Sequence, residues 1–167
     1  MIGLNLCPFA KAVHVRGQIH WAISPATTLE GVLSNLQIEL TALVQADPAE
    51  RDTTLLVTPE ALNDFLDMLD LLEQADRMLR RMDLEGVIQI ASFHPNYQFA
   101  GTRADDIENF TNRSPYPVLH LLREESVDQA VAPFPDARAI YETNIGTLKR
   151  LGHEGWRQLL SDPDHGK

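Results

Sequence analysis

The stretch GVIQIASF, residues 86–93, decides the fold because it has the strongest strand pattern in the chain. Alternation along it puts four side chains on one face: Ile88, Ile90, Ser92 and His94. His94 therefore emerges at the carboxyl end of the strand. Since no other strand pattern is so apolar, we expect this strand in the centre of a sheet, with strands at residues 54–58 and 117–122 among its neighbours.

The chain on either side predicts helices that alternate with strands. Residues 18–24 predict a half-buried strand with three apolar side chains on one face: Ile19, Trp21 and Ile23. Helical spacing of apolar residues follows over residues 29–44, with Thr27 in a capping box at its start. Thr58 and Pro59 are placed to begin the next helix. Further helices are predicted from Glu124, from Asp136 to a stop at Gly152, and at residues 153–160.

This order of elements predicts an α/β sandwich with a four- or five-stranded mixed sheet flanked by helices. At least three strands are joined by crossovers, and a long functional loop lies between the third and fourth strands. At 167 residues and 44% hydrophobic content, the chain suits a single domain over residues 1–167, with a frayed tail at about residues 162–167. Ligands collect at the carboxyl ends of strands in such sheets, and the loop opens at such an end.

Charge and composition exclude several classes of function. The formal net charge is −10, from 24 acidic and 14 basic residues, so a nucleic-acid backbone or an anionic membrane surface would repel the protein. No apolar run suits a membrane span and no signal peptide is evident, so we expect a cytoplasmic protein with neither partner. A single cysteine excludes an internal disulfide. No dinucleotide or P-loop motif occurs, and the cofactor stays unknown.

The loop over residues 95–117 carries most of the candidate binding side chains. It is longer than the roughly 12 to 15 residues usual for a structureless connection. Arg113 can present a bidentate fork to a phosphate or carboxylate, which suggests a small anionic ligand. The candidate substrate-binding residues are Arg113, Asn112, Ser114, Tyr116, Asn96 and Arg123. The alternatives are salt bridges, from Arg113 to Asp105 or Asp106 in a short helix of the loop, and from Arg123 to its acidic neighbours.

His94 and Cys7 are the candidate catalytic residues. A histidine that titrates near neutral pH can act as general acid or base, although a histidine before a proline can also simply hydrogen-bond the loop. Cys7 precedes a helix that begins at Pro8, and a helix N-terminus favours the thiolate form. We expect Cys7 and His94 to converge on one pocket, with an inert, buried thiol as the alternative. A metal site of Cys7, His94 and His120 has no recognised ligand spacing, so no metal is predicted.

Three motifs together resemble a group of bacterial proteins classed as a domain of unknown function. They are GLNLCPFA at residues 3–10, ASFHPNYQFAG at residues 91–101 and DDIENFTNRSPYPVLHLLRE at residues 105–124. The resemblance extends from Gly3 to about Leu151 and implies no activity. Members of the group carry additional residues before the first motif, so we expect that a preceding helix is missing here.

Two functions agree with these residues. The first is an enzyme that acts on a small anionic molecule, with His94 as acid or base, Arg113 as anion anchor and Cys7 as nucleophile. The second is a non-catalytic module in which the same loop holds a ligand or a protein partner. Geometry separates them, because catalysis requires Cys7 or a carboxylate close to His94 around an open pocket, whereas binding requires only the arginine and asparagine surface.

Overall fold

The computed structural model describes residues 3–4, 6–133 and 137–161, and it confirms an α/β fold built on an open, mixed four-stranded sheet. The strands are β1 (Ile19–Ile23), β2 (Thr53–Val57), β3 (Ile88–Phe93) and β4 (Val118–Arg123). Their spatial order is β1, β2, β4, β3. β1 and β2 are parallel, whereas β4 runs antiparallel to both β2 and β3. Three strands of one direction are thus joined by crossovers, and the fourth is inserted between two of them.

Five α-helices and a short 3₁₀ helix connect and cover these strands. They are α1 (Pro8–Val15), α2 (Leu29–Gln45), α3 (Phe65–Arg81), the 3₁₀ helix (Ile107–Thr111), α4 (Glu124–Val131) and α5 (Ala137–Ser161). The expected short helix in the loop corresponds to the 3₁₀ helix. Gly152 interrupts α5 with a φ of 64°, which agrees with its predicted role as a helix stop. The expected start at Asp136 and the tail at residues 162–167 lie outside the described residues.

Two predicted helix starts are wrong by a few residues. Thr28, not Thr27, caps α2 by accepting a hydrogen bond from the Gly31 N–H at 3.2 Å. The helix expected at Thr58 and Pro59 begins at Phe65 instead, because the Thr58 hydroxyl donates to the carbonyl of Pro117 and is not available as a cap. Asp64 caps α3 in its place, with a carboxylate that accepts from the Leu66 N–H.

Helices cover the two faces of the sheet unequally. α2 and α3 pack on the first face, and this core includes Leu36, Leu40, Leu56, Met68, Leu71, Leu119 and Leu121. The short helices α1 and α4 cover part of the second face around Leu122. Ile19 packs there, but Trp21 and Ile23 on the same face of β1 are 65% and 74% exposed. The strand predicted to be half-buried therefore leaves most of its apolar face open.

The position predicted for the strand at residues 87–92 is wrong. β3 lies at one edge of the described sheet and pairs with β4, while β2 and β4 are the inner strands. Of the two expected neighbours, β4 is one and β2 is not. Ile88 is nevertheless 1% exposed because the first face of β3 packs against the helices. Burial of one face thus produces an apolar strand without a central position.

Candidate functional site in the loop after β3

The loop after β3 turns back and covers the free edge of that strand. The His94 N–H donates to the carbonyl of Asn112 at 3.1 Å, and the Asn112 side-chain amide donates to the carbonyl of Ser92 at 3.2 Å. One asparagine therefore satisfies two main-chain groups that a further strand would otherwise bond. The side-chain amide of Asn112, which was predicted to bind a ligand, thus bonds the main chain of the protein instead. Its carboxamide oxygen accepts from the Thr111 hydroxyl.

His94 is fully buried and both of its ring nitrogens are bonded inside the protein. Nε2 lies 2.8 Å from the carbonyl oxygen of Leu62, and Nδ1 accepts the Asn96 N–H at 3.0 Å. Since Nδ1 accepts a main-chain N–H, we assign the ring proton to Nε2, which then donates to Leu62. The ring of Phe65 packs against the imidazole at 5.4 Å. This arrangement matches the alternative in which His94 holds the loop, and its catalytic role stays a prediction.

Asn109, which the sequence analysis did not single out, organises the centre of the loop. Its carboxamide oxygen accepts from the Phe99 N–H at 2.9 Å and from the Thr102 hydroxyl at 2.8 Å. Its amide donates to the carbonyl of Arg103 at 2.7 Å, and the side chain is fully buried. The available signal was an asparagine in the segment IENF, residues 107–110, whose first and last residues are apolar.

Arg113 is held by main-chain carbonyls and an aromatic ring. Nε donates to the carbonyl of Tyr97 at 3.3 Å, and one terminal nitrogen donates to the carbonyl of Ala104. The guanidinium carbon lies 4.3 Å from the centre of the Phe110 ring, a cation–π contact. Partial burial lowers the pKa of Arg113 from its usual value, but the group remains a cation at neutral pH.

No carboxylate in the described part of the chain forms an ion pair with Arg113. The salt bridges considered as the alternative are not formed, since Asp105 and Asp106 lie 3.6 and 3.4 Å from Nε of Arg103 instead. The main-chain N–H of Arg103 also donates to Asp106, and this bond contributes most to lowering the pKa of that carboxyl group. The loop therefore satisfies its own carboxylates and leaves the charge of Arg113 without a carboxylate partner.

Helix α5 packs on the loop through aromatic contacts beside Arg113. The Phe110 ring meets the rings of His153 at 5.2 Å and Trp156 at 5.5 Å, both edge to face. Phe99 makes a similar contact with Tyr141 at 6.3 Å. We call the group of Phe110, Arg113, His153 and Trp156 the Arg113 cluster. This cluster joins the loop to α5.

The other predicted binding residues lie in three different environments. The Ser114 hydroxyl donates to the carbonyl of Tyr116, so it stabilises the loop. Tyr116 is 55% exposed and Asn96 is also exposed, so both side chains remain accessible beside the loop. Arg123 lies at the opposite end of the sheet, opposite Ile88, and donates to main-chain carbonyls at the carboxyl end of α2. The structure therefore does not bring Arg123 together with Arg113.

Cys7 and His94 pack against opposite faces of the sheet, so the expected convergence on one pocket is wrong. Cys7 packs with Phe9 and Leu122 on the second face, whereas His94 bonds Leu62, a residue of the first-face core. The physical reason is the alternation of the strands, because α1 covers the face to which the even-numbered side chains of β4 point. Cys7 is only partly buried, whereas the alternative was a buried thiol, and its reactivity stays a prediction.

His120, on the same face as Cys7, is a buried histidine that lacks a complete set of partners. Its ring lies 6.5 Å from Phe9 and 6.3 Å from Phe93, and Nε2 has no hydrogen-bond partner among the described residues. Burial lowers the pKa of His120 from 6.5 to about 4. The ring is therefore buried without the hydrogen bond that usually compensates burial at that nitrogen.

Two features are absent from the described residues. No three His, Cys, Asp or Glu side chains of residues 3–4, 6–133 and 137–161 are grouped so that they could hold a metal ion. Among the helices described over the same ranges, none has the length and apolar character needed to cross a membrane.

Comparison with known proteins identifies a family without assigning an activity. The family model described as "Protein of unknown function (DUF1415)" matches residues 1–158. No match was found among curated proteins or among solved structures. Because the family model covers nearly the whole chain, the chain belongs to this family.

Proposed function

We propose that this member of a family without an assigned activity is a binding module, which holds a small phosphate- or carboxylate-bearing molecule at Arg113. The observation that carries the proposal is the guanidinium charge that no carboxylate of the described residues neutralises. A partly buried cation without a counter-ion is a favourable place for an anion, because the ion pair regains what desolvation costs.

The fixed orientation of Arg113 supports the same proposal. Tyr97 and Ala104 carbonyls hold the Nε side of the guanidinium, and the Phe110 ring supports its flat face. The remaining terminal nitrogen makes no hydrogen bond in the described part of the chain, so donors stay free for a ligand oxygen. A preorganised fork loses less conformational entropy on binding than a mobile side chain. In this proposal Asn96 and Tyr116, exposed on the same loop, orient the ligand.

The surroundings of His94 favour binding over catalysis. The groups that contact its ring are the Leu62 carbonyl, the Phe65 ring and the Asn96 N–H, none of which is a nucleophile or a carboxylate. A general base needs a nitrogen within reach of a substrate proton, and both nitrogens are already bonded. We therefore assign His94 a positioning role, in which it fixes the start of the loop that presents Arg113.

Binding of inorganic phosphate and of citrate, followed by two-dimensional NMR of the amide groups, tests this proposal. We expect saturable shifts at residues 110–116 in the wild type. Arg113→Lys keeps the charge but loses the fork, so both anions should bind about tenfold more weakly, which corresponds to about 1.4 kcal/mol. The control is Arg103→Lys, which changes an exposed arginine of the same loop.

The control should bind as the wild type does, and the amide signals of Thr102 and Asn109 should show that the loop is intact in both variants. Absence of saturable shifts in the wild type would contradict the proposal. Equal weakening by Arg113→Lys and Arg103→Lys would also contradict it, because only general electrostatic attraction would then be involved.

A further inference from the structure

The two edges of the sheet are protected to different degrees. At the β3 edge, the Ile88 N–H donates to the Leu84 carbonyl at 3.0 Å. The Ser92 carbonyl and the His94 N–H are both bonded by Asn112. The loop and the preceding turn thus occupy most of the main-chain groups that a further strand would pair with. Such cover prevents edge-to-edge association at β3.

The main-chain groups of β1 that point to its free edge belong to Ile19, Trp21 and Ile23. The Ser24 N–H donates to the Val57 carbonyl at 2.8 Å, and the Gln18 carbonyl accepts from the Thr53 N–H at 3.3 Å. Even-numbered residues of β1 therefore direct their main-chain groups toward β2, and alternation directs the odd-numbered residues away from it. None of these three residues bonds a loop or turn in the described part of the chain.

The side chains of β1 leave this edge open to another strand. Proline, lysine or a β-bulge commonly blocks a free edge, and β1 has the sequence IHWAI without a proline or a lysine. Trp21 and Ile23 expose an apolar surface beside the free main-chain groups. Ile19 and Ile23 lie two residues on either side of Trp21, so the apolar pattern reads the same in both directions.

We propose that a second copy of this chain pairs with the free edge of β1, antiparallel and about a two-fold axis at Trp21. In this register Trp21 faces Trp21 of the other copy and Ile19 faces Ile23. The outward main-chain groups then form hydrogen-bonded pairs, each of which exchanges two bonds. His20 faces Ala22, so no like charges are directly opposed despite the net charge of −10. The two four-stranded sheets become one sheet of eight strands.

The symmetry of the strand is the reason to favour a second copy over a different partner. A strand whose apolar residues are arranged palindromically complements itself, as a two-fold interface requires. The interface comprises one short strand and a few apolar side chains of each copy, which places it among small interfaces. We therefore expect a dimer with a dissociation constant in the micromolar range, which forms and dissociates with protein concentration.

Sedimentation over a concentration series tests the dimer, with variants that place either a positive or a negative charge at position 21. Trp21→Lys and Trp21→Glu each place two like charges at the two-fold axis, so each variant alone should weaken dimerisation at least tenfold. An equimolar mixture should regain a dimer, because lysine then faces glutamate. Ile38→Lys, at a 61% exposed isoleucine of α2, should dimerise as the wild type does.

Hydrogen exchange of the β1 amides provides an independent measurement that needs no variant. Rising concentration should slow exchange at Ile19, Trp21 and Ile23, while His20 and Ala22, whose amides already face β2, should change little. A wild type that remains monomeric at millimolar concentration would overturn the proposal. So would a dimer that persists in both charged variants, or one whose protection lacks this alternation, since its copies would then associate through another surface.

Discussion

Two buried histidines, His94 and His120, differ in how their ring nitrogens are satisfied. His94 bonds the Leu62 carbonyl and the Asn96 N–H, so its burial is compensated. His120 lies between Phe9 and Phe93, and its Nε2 has no partner among the described residues. Strand alternation predicted the face on which His94 lies. It could not predict the partners, because main-chain carbonyls carry no signature in the sequence.

The burial of His120 should make the protein less stable in acid. Burial lowers its pKa to about 4 from 6.5, so the unfolded chain binds a proton between these values and the folded protein does not. The associated stability is present above about pH 6.5 and is lost as the pH falls toward 4, by roughly 3 kcal/mol in total. His120→Phe should remove this pH dependence, which urea unfolding at several pH values measures.

His14→Phe is the matched control for this measurement, because His14 is an exposed histidine of α1. The free energy of unfolding of the control should follow the wild-type curve through the acid range. If His120→Phe follows the wild-type curve as well, the acid sensitivity does not come from the buried imidazole.

The loop after β3 is the element whose sequence pattern was easiest to notice and hardest to interpret. Its length and composition predicted an ordered segment with a short helix, but the observed 3₁₀ helix begins at Ile107, after Asp105 and Asp106. Its polar side chains, however, mostly stabilise the loop itself, as Asn109, Asn112 and Ser114 do. Residue type cannot distinguish a side chain that binds its own main chain from one that binds a ligand, because both use the same donors and acceptors.

Removing the Asn109 side chain should therefore loosen the loop. Asn109→Ala deletes a fully buried carboxamide and leaves the Phe99 N–H and the Arg103 carbonyl without their partner. We expect the free energy of unfolding to fall by about 2 to 3 kcal/mol and trypsin to cleave faster after Arg103. Asn63→Ala, at an exposed asparagine before α3, should change neither. Cleavage at the wild-type rate would show that other contacts order the loop.

At the scale of the whole molecule, the arrangement of strands was only partly predictable. The mixed sheet and the crossover connections follow from the alternation of helices and strands along the chain. The insertion of β4 between β2 and β3 does not, because β4 follows a loop that fixes no pairing partner. The same limit applies to Cys7, since the sequence does not specify which face of the sheet α1 covers.

Helix α5 connects this arrangement to the Arg113 cluster, and it is interrupted at Gly152, just before the residues that pack on Phe110. Gly152 has φ 64° and ψ 176°, a conformation essentially restricted to glycine, and it directly precedes His153 and the Trp156 that packs on Phe110. Gly152→Ala should lower the free energy of unfolding by roughly 1 to 3 kcal/mol through backbone strain alone, since an added Cβ would meet no atom within 4 Å.

Gly146 offers the opposite case in the same helix. An added Cβ there would meet the nearest atom, on Arg150, at an ordinary 3.6 Å, so Gly146→Ala should raise the free energy of unfolding by about 0.5 to 1 kcal/mol. Chemical unfolding measures both changes. In a Trp21→Phe background, the fluorescence emission of Trp156 should shift to longer wavelength for Gly152→Ala and stay constant for Gly146→Ala. The reason is that the backbone change which relieves the strain at residue 152 should move the indole away from Phe110. An unchanged emission in both variants would mean that α5 keeps its contact with the loop without the glycine kink.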